Sequence, residues 1–418
     1  MNQRAFDNQP SGWVGAKEAS RLLGVKQRTV YAYASRGLLG AGKRGPGQPA
    51  KYLRSAVLRL KTRAEARSGH TAVAASALRW GEPVLDSAIT QISPDGPVYR
   101  GHRATSLAQR SFEAVAELLW SGTLPSGSPR WPAAAAVPAV NIPLRAPLLP
   151  SLAQVAGALG LAETVRYGLS PEVEQQRARQ LIQVLAAAVC LPHAPKRFAA
   201  AQRQPTVAQQ LFFALTGKAA SRAQQALVDR CLVLSADHEL NASAFAARVT
   251  AGAGADLHAC LTAALAALSG PRHGGACDRV EAMVVEVLAS SPQQALTARL
   301  ARGEDLPGFY VGPYPQGDPR TPPLLEGAKK LRARFILGRD ANARLDAVLA
   351  VGAWVRQELG EAPALDLGLV AAAISLGFPP GAAAGLFAIG RTAGWVAHVL
   401  EQRLSGVPIR PRARYVGP

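Results

Sequence analysis

Runs of Ala, Leu and Val recur at three- and four-residue spacing over most of this 418-residue chain, the spacing that lines one face of an α-helix. Near the start, Ala16, Ala19, Leu22 and Leu23 mark a first helix, and Gly24-Val25 breaks it. Val30, Tyr33 and Ala34 then mark the inward face of a second, leaving Lys26, Gln27, Arg28, Tyr31 and Arg36 outward. Gly37-Leu38-Leu39 ends it, and the loop AGKRGPGQPAKY leads to a third helix in LRSAVLRLKTR. Helix, short turn and helix is helix-turn-helix geometry. A basic, polar outward face suits a helix entering the major groove. Lys43, Arg44 and Lys51 suit a wing on phosphates. Such a module binds nucleic acid or survives as a docking or oligomerisation element.

The pattern changes after this module. HTAVAASALRWG is a polar, Ala/Ser-rich linker; apolar alternation in LDSAITQI, the turn Pro94-Asp95-Gly96 and VYRG predict a small hairpin. SFEAVAELLWSG predicts an amphipathic helix that starts at Ser111 and ends at Gly122. Residues 124–150, rich in Pro and Ala, carry no motif. Helices are expected over roughly 151–160, 172–190 and 206–233, and His102 and His193 read as turn and loop residues. From 235 to 277 a polar cluster (Asp237, His238, Glu239, Asn241, Ser243) opens an Ala-rich helical run that closes at Gly-Pro-Arg-His-Gly-Gly around His273. The fold class is all-α, with a main body of closely packed helices: Ala has the best helix propensity and lets helices approach.

Charge separates the two parts. Residues 1–70 hold 14 basic and three acidic side chains, net +11 of the total of +19, which suggests a polyanionic partner for the N-terminus. Four cysteines without a CxxC pair argue for reduced thiols rather than a zinc site or disulfide framework. The first residues lack the apolar core of a signal peptide, and polar, Pro or Gly residues interrupt the apolar runs. The expectation is a cytoplasmic protein without membrane, metal or cofactor.

Three features carry candidate chemistry. Glycines beside His273 allow close approach of a substrate, and a helix starting near Gly274 lowers the imidazole pKa, so that a neutral ring can donate to a carbonyl oxygen; a structural turn histidine is the alternative. Asp366 lies in the apolar segment PALDLGLVAAAISLGF. Desolvation there raises its pKa and suits a general base, whereas an N-cap for a helix beginning at Leu367 is the other reading. Arg391 opens an Ala-rich helix turn, and Arg410, Arg412 and Arg414 close the chain; guanidinium groups near a His and an Asp suit a di- or tricarboxylate.

EASRLLGV, TVYAYASRGLL and KYLRSAVLRL resemble the winged helix-turn-helix of MerR-like and excisionase-like regulators. From about residue 85 onward, DHELNASAFAARV, GADLHACLTAALAALSGPRHGGA, YPQGDPR, ALDLGL, LFAIGRTAGWVAHVLEQ and IRPRARYVG resemble citrate synthase. That resemblance implies a helical homodimer with a large domain over 81–274 and 376–418 and a small domain over 275–375 that closes on the substrates, following the helix-turn-helix module over 1–68 and the linker over 69–80. It implies condensation of acetyl-CoA or a related acyl-CoA with oxaloacetate or another 2-oxo acid. Asp366 would abstract the acetyl proton and His273 would hold the thioester carbonyl. His238, Arg320, Arg391 and Arg410 would hold oxaloacetate, Arg410 from the partner subunit.

One departure stands out. In Gly308-Phe309-Tyr310-Val311-Gly312-Pro313-Tyr314-Pro315, Val311 occupies the position of a second catalytic histidine, which in the family polarises the ketone. Losing such a donor costs roughly 10²–10³ in rate, and Tyr310 lies beside the gap. Cys277 stands where many members carry Asn. A slow condensing enzyme and a non-catalytic, metabolite-sensing DNA-binding regulator are therefore the two readings of the whole chain.

Overall fold

The computed structural model describes residues 13–35, 39, 50–53, 57, 60, 85–134, 140–309, 312–314, 316–411, 415 and 417. The chain divides into two compact units, Met1–Ser87 and Ala88–Pro418.

In the first unit, strand β1 (Trp13–Gly15) runs straight into helix α1 (Ala16–Leu23), and Gly24 caps that helix in the left-handed conformation. Helix α2 spans Gln27–Ser35. Val14, Ala19, Val30, Leu39, Ala50, Tyr52 and Val57 form a small core of their own. The sequence pattern did not show that β1 pairs antiparallel with β2 (Lys51–Leu53). Lys26, Gln27, Arg28 and Tyr31 are exposed, as the pattern requires; Lys26 precedes the helix rather than sitting in it. Arg36, Lys43, Arg44 and most of the third helix lie outside the described residues.

The second unit opens with a three-stranded sheet, β3 (Thr90–Ser93), β4 (Gly96–Tyr99) and β5 (His102–Arg103). Ser93 pairs with Gly96 across the two-residue loop Pro94-Asp95, so the expected hairpin forms, starting later than Leu85 and extended by β5. Helix α3 (Phe112–Ser121) has the anticipated Ser111 cap and Gly122 stop. Helices α4 (Leu148–Ala162) and α5 (Pro171–Ala188) follow. The single helix expected over 206–233 is two, α6 (Val207–Thr216) and α7 (Arg222–Ser235). Gly217, at φ +72°, ends the first, and the reciprocal capping box of Ser221 and Gln224 starts the second. The Ala-rich run likewise divides into α8 (Ala242–Gly252), capped by Asn241, and α9 (Leu257–Leu268), capped by Asp256.

Helices α10 (Ala276–Ala289), α11 (Pro292–Ala301), α12 (Thr321–Arg334), α13 (Arg339–Leu359) and α14 (Leu365–Ser375) pack largely on one another. The last, α15 (Ala382–Ser405), threads the centre of the unit against α3, α4, α5, α7, α8, α9, α10 and α14. It is long and apolar enough to cross a membrane by composition alone, yet its apolar window is wholly buried within the unit.

Candidate active site

The site is assembled on the loop between α7 and α8. Tyr99 on β4 donates its hydroxyl hydrogen to the Asp237 carbonyl (3.1 Å) and accepts from the Asp237 amide (3.3 Å). The Asp237 carboxylate receives the Glu239 amide at 3.1 Å and lies 3.3 Å from His398 Nε2 on α15, both side chains fully buried. Burial alone would raise the Asp237 pKa; His398, then Arg391 and Thr90, outweigh it and hold the carboxyl below its ordinary value. Helix α15 comes this close because residue 394 is glycine. Its amide donates to the Ala236 carbonyl at 2.9 Å, and a Cβ there would stand 2.5 Å from that carbonyl oxygen and press on Asp237 Oδ1. Glu239, between the clamped Asp237 and the Asn241 cap, takes the left-handed φ of 56° that non-glycine residues seldom adopt.

This loop presents His238. Burial, followed by the positive charges of Arg320, Arg391 and His273, drives its pKa well below the usual value, so the ring is neutral near pH 7. His238 Nε2 lies 2.8 Å from the hydroxyl of Tyr314, whose ring meets the imidazole edge-on. Arg320, at the N-terminal boundary of α12, is forked onto Asp318 (Nε–Oδ1 2.9 Å, Nη2–Oδ2 2.6 Å), with its guanidinium 6.0 Å from the Tyr314 ring centre. Burial opposes its charge, but Asp318 more than restores it, and the pKa is raised. Arg391 sits inside α15, not at the opening of a helix turn as the sequence suggested. Its Nε donates to the Ser235 carbonyl at 2.6 Å, and its guanidinium lies 4.8 Å from the Phe387 ring centre. The same ring meets His273 edge-on at 5.7 Å.

His273 Nε2 lies 2.8 Å from Ser243 Oγ and 3.2 Å from Asn241 Oδ1. Ser243 Oγ also accepts from the fully buried Trp395 indole at 3.0 Å, which leaves its own hydrogen for Asn241 or His273. Burial first, and Arg391 second, lower the His273 pKa to about 3. The neutral ring predicted from the sequence is present, and α10 starts at Ala276 with Gly275 at its N-cap, close to the start expected near Gly274; desolvation, which the sequence did not show, is the leading cause.

Asp366 lies in the first turn of α14, whose N-cap is Ala364. The capping alternative is thereby overturned: the carboxylate faces inward and its Oδ1 accepts from the buried Cys277 thiol at 3.4 Å. Burial raises its pKa against the opposing pull of Cys277 and Arg320. Two main-chain bonds tie its helix to the segment carrying Tyr314 and Arg320, Ala364 N to Gly308 O (2.7 Å) and Asp318 N to Pro363 O (3.4 Å). His238, His273, Arg320 and Arg391 are thus electrostatically joined, and Arg320 also acts on Asp366. Arg410 is exposed beyond α15. Tyr310, Val311, Arg412 and Arg414 lie outside the described residues. Sequence reasoning missed Tyr314, Asp318, Trp395 and His398, and assigned no roles to Asn241 and Ser243; a polar residue in an otherwise apolar helix, as with His398, was the available signal.

In chemical terms the site offers two neutral imidazoles, two buried guanidinium groups and a carboxylate held more basic than usual. Such guanidinium groups suit anions, a neutral imidazole has one hydrogen to donate to an oxygen, and a carboxylate of this kind can remove a proton.

Comparison with known proteins bears on the same residues. The family model described as "Citrate synthase, C-terminal domain" matches residues 77–412, and one described as "Helix-turn-helix domain" matches 13–64. A 2-methylcitrate synthase of Shewanella oneidensis is 30% identical over 355 residues, covering 81% of this chain and 92% of the relative. Citrate synthase 2 of Bacillus subtilis is 29% identical over 363 residues, covering 81% and 95%. Among solved structures, the citrate synthase of Pyrobaculum aerophilum superposes with a TM-score of 0.64 at 25% identity, covering 80% of this chain and 91% of that one. The Thermoplasma acidophilum enzyme, in a ternary complex with carboxymethyl coenzyme A and oxaloacetate, does so with 0.67 at 22% identity, over 80% and 94%. The all-α body with its two imidazoles, buried carboxylate and paired arginines belongs to the citrate synthase family, and it follows an N-terminal helix-turn-helix domain.

Proposed function

We propose that the body condenses an acyl-CoA, acetyl-CoA or a close homologue, with oxaloacetate or another 2-oxo acid, releasing a citrate-type product and free CoA. The carrying observation is Asp366, a buried carboxylate with a raised pKa in the same site as a neutral His273. A site that only binds anions has no use for a buried base among its cations. In this reading Asp366 takes a proton from the carbon next to the thioester carbonyl. His273 donates a hydrogen bond to that carbonyl oxygen as enol character develops. Arg320, Arg391 and His238 hold the oxo acid, with Arg410 supplied by the partner of a homodimer. Residues 275–375 act as a small domain closing on residues 81–274 and 376–418. No cofactor or metal takes part.

The test is release of CoA thiol from acetyl-CoA or propionyl-CoA with a panel of 2-oxo acids. Asp366→Ala should remove the activity, and wild-type release no faster than that of the variant across the panel refutes the reading.

The exposed row Lys26, Gln27, Arg28 and Tyr31 supports a second reading, a DNA-binding regulator that senses a carboxylate or CoA ester through the body. It requires salt-dependent DNA binding that Arg28→Ala weakens and that oxaloacetate or acetyl-CoA alters. DNA affinity indifferent to Arg28 and to both ligands refutes it.

A further inference from the structure

The condensation just described leaves one proton without a donor. When the enol carbon bonds to the ketone carbon, the ketone oxygen gains an electron pair and needs a hydrogen. A guanidinium binds the resulting charge but does not give up its proton near neutrality. His273 is committed to the other carbonyl, and position 311 carries valine.

We propose that Tyr314 is the catalytic acid for the 2-oxo acid, an assignment that rests on the condensing reading above. Its side chain is 5% exposed, and its hydroxyl lies 2.8 Å from Nε2 of His238, a residue that reading places on the oxo acid. The Arg320 guanidinium, the proposed carboxylate anchor, lies 6.0 Å from its ring centre. The two proposed anchors of the oxo acid, His238 and Arg320, thus flank Tyr314, and His238 lies directly against its hydroxyl; an ordinary phenol is protonated near pH 7. In the addition step the new carbon–carbon bond forms as the ketone π pair moves onto oxygen and takes the phenol proton. With the single imidazole hydrogen of His238 on Nε2, the phenolate left behind accepts a hydrogen bond from it, so that His238 acts on the oxo acid through Tyr314, and the phenolate lies beside the charge of Arg320. The proton that Asp366 removed from the acyl carbon then restores the phenol, so acid and base both return to their starting states before water cleaves the thioester.

Tyr314→Phe keeps the ring on Arg320 and deletes only the hydroxyl. Two readouts test it: CoA release, and the carbonyl resonance of [2-¹³C]oxaloacetate bound to the full-length protein. Wild-type protein should shift that resonance downfield of the free acid, because a donor polarises the carbonyl. Tyr314→Phe should lose the shift and about 10²–10³ in kcat, with a much smaller change in KM. Val311→His in the Tyr314→Phe background should recover part of both, which a variant damaged in folding cannot do. Unchanged turnover or an unchanged carbonyl shift in Tyr314→Phe overturns the assignment and leaves the condensing reading standing. A shift that depends on Tyr314 in a wild type that releases no CoA refutes that reading alone. Wild type that does not perturb the resonance at all refutes Tyr314 as the ketone's partner.

Discussion

Cys277 offers the sharpest test of how the base is set. Its thiol is a weak donor, 3.4 Å from Asp366 Oδ1, both groups lie in the interior, and the thiol pKa is pushed well above normal by burial and then by Asp366 itself. An amide N–H is a stronger donor, and a hydrogen bond to a charged group contributes about 1.5–3 kcal/mol. If the thiol already supplies about half of that, Cys277→Asn, close in volume, stabilises the carboxylate by a further ~1 kcal/mol. At 1.36 kcal/mol per pH unit, the acid limb of the kcat/KM profile should move down by about 0.7 pH unit. Cys277→Ala removes the donor and should move the limb the opposite way. The measurement is kcat/KM for CoA release at saturating oxo acid between pH 5 and 9, for all three proteins. A limb that stays in place in both variants, or moves the same way in both, would show that the thiol does not govern the base.

Asp366→Asn should lower kcat by at least about 10². It should also stabilise the fold: because the native pKa is raised, the wild-type carboxylate binds its proton more tightly folded than unfolded, so stability falls as pH rises from about 4 through the native pKa. Denaturation at pH 5 and pH 8 should show the variant's advantage growing with pH. Asp237 runs the other way: with a lowered native pKa, its contribution is present above about pH 4 and is lost on acidification. Asp237→Asn should cost about 3–5 kcal/mol in urea denaturation at pH 7 and flatten the acid side of the stability curve. Gly394→Ala should cost about 1–3 kcal/mol or more by forcing α15 away from Ala236 and Asp237; a midpoint within error of wild type would show that the helix gives way freely.

Local chemistry was readable from the chain, and spatial partnership was not. The outward row Lys26 to Tyr31, the Ser111 cap and the Pro94-Asp95 turn follow from spacing and residue type within a few positions. The break after Thr216 was missed because apolar residues continue on both sides of it, although Gly217, at φ +72°, and the Ser221–Gln224 capping box together separate α6 from α7. Asp366 could be read as cap or base because both suit an acid before an apolar run; burial beside Cys277 decides between them. For His273 the helix start near Gly274 was legible, but the burial that leads the lowering of its pKa was not, because it depends on residues far away in sequence. Tyr314 meets His238 across 76 positions of sequence and Trp395 meets Ser243 across 152, separations at which periodicity carries no information.

The position of α15 also bears on how the chain is made. Every helix it packs on precedes it in the sequence, and it contributes Phe387, Arg391, Trp395 and His398 to the interior. As the polypeptide leaves the ribosome, α3, α4, α5, α7, α8, α9, α10 and α14 therefore emerge with the faces that α15 will cover still wet. Hydrophobic surface exposed in this way favours aggregation. Synthesis thus passes through a long interval in which much of the body exists and cannot close. Its completion is also the moment at which Arg391 reaches the loop of His238, so protection from aggregation and the arrival of the anion site coincide in one late event.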